Sequence, residues 1–205
     1  MKIECIKTNF SSNCYVIYNN DSAYIVDPSC DTKVIDKYVS EEYKVKGILL
    51  THTHIDHIYF LEEVVRKYNC KVYLSKYGLE FLKDSFKNCS ELFGLNKVFN
   101  ICDEDLIMVN DNDVIDGFIK VIYTPGHTSD SLCFMLDGYL FTGDTLFNMS
   151  IGRTDLYSGN YAKIVESIKK IYSFKKDFMI LPGHGENSSL SEELDCNFYV
   201  KKAVK

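Results

Sequence analysis

THTHIDH, residues 51–57, holds three of the five histidines in the 205-residue chain. It begins at the last residue of the apolar run VKGILLT, and this run predicts a buried strand over residues 45–51. Side chains two residues apart project to the same side of an extended chain, whereas in a helix they would point about 200° apart. The spacing therefore predicts that His52 and His54 reach one metal ion together.

Asp56 and His57, in the second half of this motif, are expected to bind at a different point from His52 and His54. A helix is expected to begin near Ile58, which would leave Asp56 and His57 on its approach, rotated away from the first pair. One short loop would then present donor groups to two neighbouring points.

Three more candidate ligands stand in similar surroundings elsewhere in the chain. His127 lies in YTPGHTSDS, His184 in MILPGHGEN and Asp144 in LFTGDTLF, each after a predicted strand. Two of the three prolines in the chain directly precede a Gly-His pair. Rigid Pro-Gly turns at strand ends are suited to holding a ligand on a stiff scaffold.

Seven donors exceed the four ligands of one tetrahedral ion and suit two metals about 3.5–4 Å apart. We assign His52, His54 and His127 to the first metal. Asp56, His57 and His184 go to the second, and Asp144 bridges the two. Zinc is the expected divalent ion, with iron or manganese as alternatives, because nitrogen and oxygen ligands accept all three.

Such a site predicts hydrolysis. Metal binding lowers the pKa of water from 15.7 towards ~7, which would supply a hydroxide bridging the two ions at neutral pH. Asp56 is the predicted catalytic residue, orienting that hydroxide. The metals would also polarise a carbonyl and stabilise the oxyanion that forms from it.

The rest of the chain alternates strands and helices, which predicts an α+β fold of sheets packed together with helices outside. Strands are predicted at about residues 2–7, 13–18, 22–26, 45–51, 70–75, 105–109, 118–123, 131–136, 139–142 and 177–182. Helices are predicted at residues 31–43, 59–68 and 160–174, and over most of 76–97 with interruptions at Gly78 and Gly94.

Composition predicts one globular domain over residues 1–205, with 46% hydrophobic and 25% charged residues. The net charge of −6 disfavours nucleic-acid partners, and no apolar run approaches membrane-spanning length. The N-terminus lacks the apolar core of a signal peptide, and the eight cysteines include no Cys-x-x-Cys pair. We therefore expect a cytoplasmic protein with reduced cysteines, and leave its oligomeric state open.

THTHIDH, TPGHT, GDTLF, GRTD and LPGHG together resemble the ordered motifs of the metallo-β-lactamase superfamily, and most closely small glyoxalase II-like (hydroxyacylglutathione hydrolase-like) enzymes. The resemblance extends from NCYVI and Asp27 to about Phe198. It implies a four-layer αββα sandwich of two mixed sheets with helices on the outer faces. Its metal ligands correspond to the seven residues above, and the bridging Asp144 disfavours antibiotic hydrolysis.

The resemblance favours hydrolysis of an acyl thioester, a small-molecule substrate whose thiolate leaves readily. Tyr59 and Phe60 stand where relatives commonly have Gly-Gly, so we expect a reshaped substrate entrance. Too few residues follow His184 for a glutathione-binding helical domain, so glutathione would be held differently or the thiol carrier differs. Arg153 is a candidate substrate-carboxylate ligand, although an internal pair with Asp155 is the competing interpretation.

Other functions stay open. The same motifs, including GRTD, also resemble those of iron-dependent persulfide dioxygenases, which implies one iron held by His52, His127 and Asp144, with the other histidines not bound to metal. Lactone hydrolysis is another alternative, and nuclease activity is less favoured because of the negative charge. A non-enzymatic metal-binding role would give metal binding without turnover.

Overall fold

The computed structural model describes residues 1–204 and divides into two compact units, Met1–Val109 and a second that begins at Asn110. Each unit is described by itself. No helix within residues 1–204 combines the length and apolar character needed to cross a bilayer. None of the eight cysteines forms a disulfide in this part of the chain.

The first unit is built on a six-stranded mixed sheet in which the strands follow chain order. The strands are β1 Lys2–Lys7, β2 Asn13–Asn19, β3 Ser22–Val26, β4 Lys44–Leu49, β5 Lys71–Ser75 and β6 Leu106–Val109. β1, β2 and β3 pair antiparallel, and β3 to β6 pair in parallel. The carboxyl ends of β3 and β4 therefore meet at one edge of the sheet, which places the residues that follow them side by side.

Helices and apolar side chains cover this sheet. The helices are α1 Thr32–Ile35, α2 Ile55–Ile58, α3 Leu61–Tyr68 and α4 Lys76–Leu82, with short 3₁₀ helices at Ser90–Phe93 and Asp103–Asp105. Ile55, Ile58, Leu61 and Val64 are fully buried in the same core cluster as Ile25 and Ile48 of the sheet. Burial of this apolar surface is the main force holding α2 and α3 against the strands.

Two helix predictions in this unit were wrong in extent. The predicted helix over residues 31–43 is only α1, followed by irregular turns. The carbonyl of Tyr38 accepts a hydrogen bond from the Tyr18 hydroxyl at 2.6 Å, an interaction with the sheet that periodicity cannot reveal. Gly78 does not interrupt the next helix but lies buried inside α4.

Most of the segment after α4 is a loop fixed by side chains rather than a helix. The Asn88 amide donates to the carbonyl of Lys97 at 2.9 Å, and the Ser90 hydroxyl accepts from the Lys97 N–H at 2.9 Å. Asn and Ser compete with helical hydrogen bonding in this way. Gly94, with φ of 70°, ends the 3₁₀ helix as the sequence suggested.

The second unit contains another six-stranded mixed sheet, in the order β14-β13-β10-β9-β8-β7, and a two-stranded sheet of β11 and β12. Its strands are β7 Val114–Ile115, β8 Ile119–Tyr123, β9 Leu132–Leu136, β10 Tyr139–Gly143, β11 Leu146–Phe147, β12 Ser150–Ile151, β13 Met179–Pro182 and β14 Ser188–Ser189. β10 and β13 are parallel, and the other pairings in this unit are antiparallel. The ends of β10 and β13, which precede Asp144 and His184, therefore lie at the same edge.

Three helices, α5 Tyr161–Tyr172, α6 Leu190–Cys196 and α7 Phe198–Val204, complete the second unit. Ile164, Ile168 and Ile171 form the buried stripe of α5 that its helical spacing predicted. The predicted α+β class, with two mixed sheets and associated helices, is confirmed. The assignment of residues 1–205 to a single domain stays a prediction.

Candidate metal centre

The His-x-His-x-Asp-His motif leaves the end of β4 and enters α2 directly. The helix begins at Ile55, so the prediction that it starts near Ile58 was wrong, and Asp56 and His57 lie within α2. The Ile55 N–H donates to the carbonyl of Asn88 at 2.8 Å, which supplies a partner at the helix start. His54, at φ −67° and ψ 144°, is still extended as predicted.

The three histidines of this motif are buried and close together. The ring centroid of His52 lies 4.8 Å from that of His54 and 4.2 Å from that of His57. Asp56 is only partly buried, and its Oδ2 lies 3.9 Å from Nε2 of His57. The first unit thus brings together all four of its predicted ligands.

Asp27, at the end of β3, orients two of these imidazoles. Its Oδ2 accepts from the Thr51 hydroxyl at 2.6 Å and lies 2.9 Å from Nδ1 of His57. Because the Thr51 hydroxyl donates to Asp27, its oxygen accepts from Nδ1 of His52, at 3.1 Å. Both histidines therefore carry their proton on Nδ1 and present Nε2 as the metal-binding nitrogen.

Sequence analysis gave no role to Asp27 and Thr51, whose hydrogen bonds support two of the candidate ligands. Asp27, His52 and His57 place possible ligand atoms within 4.8 Å of one another, but the Asp27 carboxylate also accepts from the Thr51 N–H at 2.8 Å. With these hydrogen bonds, Asp27 is a positioning residue rather than a ligand. Its position directly after β3, next to the strand that carries the motif, was the available signal.

Asp27 also has an unusual backbone, with φ of 50°. A non-glycine residue in this region is strained, and such strain is concentrated at functional sites. The buried hydrogen bonds of its carboxylate hold it there.

In the second unit, Asp144 lies between the other two predicted histidine ligands. Its Oδ2 is 3.5 Å from Nε2 of His127 and 3.7 Å from Nε2 of His184. Two ligand atoms at about 2.0–2.1 Å from a tetrahedral ion are separated by about 3.4 Å. One carboxylate oxygen is thus at ligand spacing from both imidazoles, so Asp144 can share a metal ion with either of them.

His127 is fixed by the GRTD segment. Its Nδ1 donates to the carbonyl of Arg153 at 2.8 Å, so Nε2 is the nitrogen available for a metal. The Arg153 guanidinium binds the Asp155 carboxylate in a bidentate pair, at 2.7 and 2.8 Å, and lowers the pKa of Asp155 to about 2. These contacts match the internal-pair interpretation of Arg153, and its role in substrate binding stays a prediction.

Two glycines allow this close packing. Gly126, before His127, has φ of 148°, and a Cβ there would lie 2.3 Å from the backbone nitrogen of Ile164. A Cβ at Gly152 would lie 1.8 Å from the carbonyl oxygen of Asp144 and 3.2 Å from Cβ of His127. Both positions therefore exclude any side chain.

The donors in both units fit divalent transition metals. His52, His57 and His127 are buried imidazoles held by hydrogen bonds at Nδ1. Together with carboxylates, such imidazoles are ligands that zinc, iron and manganese accept. Hydrogen bonds to carboxylate or carbonyl groups are the usual supports of metal-binding histidines. Each unit thus holds donor groups that suit a divalent metal ion.

Residues 8–184 match the family model of the metallo-β-lactamase superfamily. The chain is 31% identical to a probable metallo-hydrolase, YqgX, of Bacillus subtilis (strain 168), covering 91% of this chain and 90% of that protein. It is 30% identical to the hydroxyacylglutathione hydrolase GloC of Haemophilus influenzae, covering 96% and 97%. The crystal structure of BLEG-1 B3 metallo-β-lactamase is 31% identical, covers 97% of this chain and 99% of its own, and has a TM-score of 0.88.

The chain therefore belongs to the metallo-β-lactamase superfamily. The resemblance that the motifs suggested is confirmed, and so is the fold class.

Proposed function

We propose that the chain is a dinuclear metal-dependent hydrolase of acyl thioesters. The position of Asp144 carries the dinuclear proposal, because its Oδ2 is at ligand spacing from Nε2 of both His127 and His184. The number of donors also supports two metals, because seven candidate ligands exceed the four that one tetrahedral ion takes. A further support is the orientation of His52 and His57. The Asp27 carboxylate orients His57 directly and His52 through Thr51, so that two imidazoles of one motif present Nε2 to a metal.

The proposed ligands are those predicted from the sequence. His52, His54 and His127 would hold one ion, Asp56, His57 and His184 the other, and Asp144 both. Zinc is the proposed metal, because it suits this mixture of imidazole and carboxylate ligands. Two bound divalent ions would supply Lewis-acid polarisation of a carbonyl and a hydroxide nucleophile at neutral pH.

The protein side chains have distinct tasks in this proposal. Asp56 orients the nucleophile, and its partial exposure leaves it accessible to water. Asp27 and Thr51 keep the protons of His57 and His52 on Nδ1. A thiolate is a stable leaving group, so a strong general acid is not required.

A thioester is the substrate class that the relatives favour. GloC is named a hydroxyacylglutathione hydrolase, and its similarity covers nearly the whole of both chains. The B3 metallo-β-lactamase structure makes β-lactams a necessary competing substrate in any assay. We also propose that the protein acts on a small molecule and that nucleic acid and membranes are not its partners.

The test combines elemental analysis with a substrate panel. The purified protein is expected to contain two metal ions per chain and to hydrolyse S-D-lactoylglutathione or a related thioester. Lactones, a β-lactam and a persulfide with oxygen are the competing substrates. One iron per chain with oxygen consumption would replace this proposal by persulfide oxidation, and metal binding without turnover of any substrate would contradict an enzymatic role.

A further inference from the structure

A cleft in the first unit adjoins the metal-binding helix α2. It has a volume of about 260 Å³, and its walls include Phe10, Cys30, Val34, Tyr59 and Phe60. Pockets that take a whole drug-sized ligand measure about 300–1,000 Å³. This cleft is therefore sized for one part of a substrate.

The cleft is rigidly connected to the metal-binding residues. The Ser12 hydroxyl donates to the carbonyl of Asp56 at 2.7 Å, which fixes the turn that carries Phe10. Tyr59 follows His57 by two residues, and its ring centroid is 5.1 Å from that of Phe10. A group bound here would lie beside the end of α2, the helix that carries Asp56 and His57.

Five of the ten residues that line the cleft are hydrophobic, and three of these are aromatic. The ring centroids of Tyr59 and Phe60 are 4.9 Å apart, and both rings pack on the core cluster that also contacts Val34. Asp31 also lines the cleft, but its Oδ1 accepts the Val34 N–H at 3.0 Å as the N-cap of α1. A peptide-like thiol carrier would lose its hydration against these rings, whereas an apolar group would gain contact area.

We infer that this cleft is the acyl-binding site and selects branched or aromatic acyl groups. The inference rests on the proposed function, because it assigns one end of the proposed thioester. Tyr59 and Phe60 are then specificity-determining residues. Lys7 lines the cleft and is exposed to solvent.

Opposite changes in the cleft test the inference. Val34→Phe would fill the cleft, and Phe60→Ala would enlarge it. The substrates are acetyl-, D-lactoyl-, isovaleryl- and phenylacetyl-glutathione, so that only the acyl group varies. Val34→Phe should lower kcat/KM for phenylacetyl-glutathione by about 10-fold or more and change that for acetyl-glutathione by less than about 3-fold.

Phe60→Ala should lower the ratio of kcat/KM for phenylacetyl-glutathione to that for acetyl-glutathione. The main cause should be a higher KM for phenylacetyl-glutathione. Phe86→Ala is the matched control, because Phe86 is exposed in the same unit and does not line the cleft. Equal losses for all acyl groups, or no change in selectivity in either variant, would overturn the inference. Thermal melting of each variant separates these outcomes from failure to fold.

A binding measurement separates this inference from the proposed function. The ¹⁹F resonance of 4-fluorophenylacetate should broaden with the unmodified protein and with Phe86→Ala, but not with Val34→Phe. If this pattern appears while no thioester is hydrolysed, the cleft binds aromatic groups as inferred, but the proposed function fails and with it the role of the cleft in thioester hydrolysis. If thioesters are hydrolysed but Val34→Phe binds the probe as the unmodified protein does, the cleft assignment alone is wrong.

Discussion

Oδ2 of Asp27 lies 2.9 Å from Nδ1 of His57, and both side chains are buried. The same oxygen accepts from the Thr51 hydroxyl, which in turn accepts from His52. One carboxylate at the end of β3 therefore sets the proton position of two imidazoles presented after β4. The parallel pairing of these strands places Asp27 next to the segment that carries Thr51, His52 and His57.

The first prediction concerns this hydrogen-bond network. Asp27→Asn removes the anionic acceptor and should weaken metal binding by about 10- to 100-fold, the usual effect of losing a support behind a metal-binding histidine. Competition for zinc with a chelating dye measures the change. Asp21→Asn is the control, because Asp21 is exposed and bonds to Ser22 rather than to a histidine. Equal zinc affinity in both variants would contradict the assigned role.

The sequence predicted the seven candidate ligands but not the supports behind them. His52 and His54 could be paired because a strand has a simple two-residue repeat. Asp27 is separated from His57 by thirty residues, and only the parallel neighbour relation of β3 and β4 brings their side chains together. Thr51 lay inside the quoted motif, yet its hydroxyl orientation depends on Asp27.

The predicted boundaries of two helices were wrong for a similar reason. The start of α2 at Ile55 depends on the Asn88 carbonyl, and the short α1 is followed by a hydrogen bond from Tyr18 to Tyr38. Asn88 and Tyr18 are distant in sequence from the residues that they contact, so the local periodicity of the sequence cannot predict these contacts. The helix α5, by contrast, is determined by its own apolar stripe and was predicted to within two residues at each end.

The second prediction separates the two metal models. His54→Ala should remove a direct ligand and lower the affinity for one of two metals by more than about 100-fold, beyond the effect of losing a supporting residue. Metal-to-protein ratios after dialysis against a weak chelator measure this loss. Lys46→Ala, an exposed change on β4, is the control. Full metal content and activity in the His54 variant would instead favour the iron model, in which His54 is not a ligand.

The third prediction uses Gly152. In Gly152→Ala the new Cβ would lie 1.8 Å from the carbonyl oxygen of Asp144, so the backbone that carries the proposed bridging ligand must move. We expect metal affinity to fall by at least about 10-fold, because ligand positions matter at the level of about 0.5 Å. Isothermal titration with zinc measures the loss.

Gly138→Ala is the control for Gly152→Ala. Gly138 has φ of 85°, and a Cβ added there would have no heavy atom within 4 Å. An alanine at this position therefore strains the backbone without contacting a neighbour. It should destabilise the fold by about 1 kcal/mol and leave zinc affinity unchanged. If the two variants lose stability equally and both keep zinc affinity, Gly152 has no special relation to the metal ligands.

The last prediction concerns Glu193, a buried carboxylate in α6 that stabilises the fold away from the proposed ligands. Its Oε2 accepts from the Met149 N–H at 2.9 Å and from the Asn197 amide at 2.7 Å. Glu193→Ala removes the charged acceptor of both hydrogen bonds and opens a cavity, so the free energy of unfolding should fall by about 3 kcal/mol. Urea denaturation measures it, with Glu166→Ala as an exposed control on α5. Metal content should not change, and a variant that lost metal at full stability would show that Glu193 supports the metal centre instead.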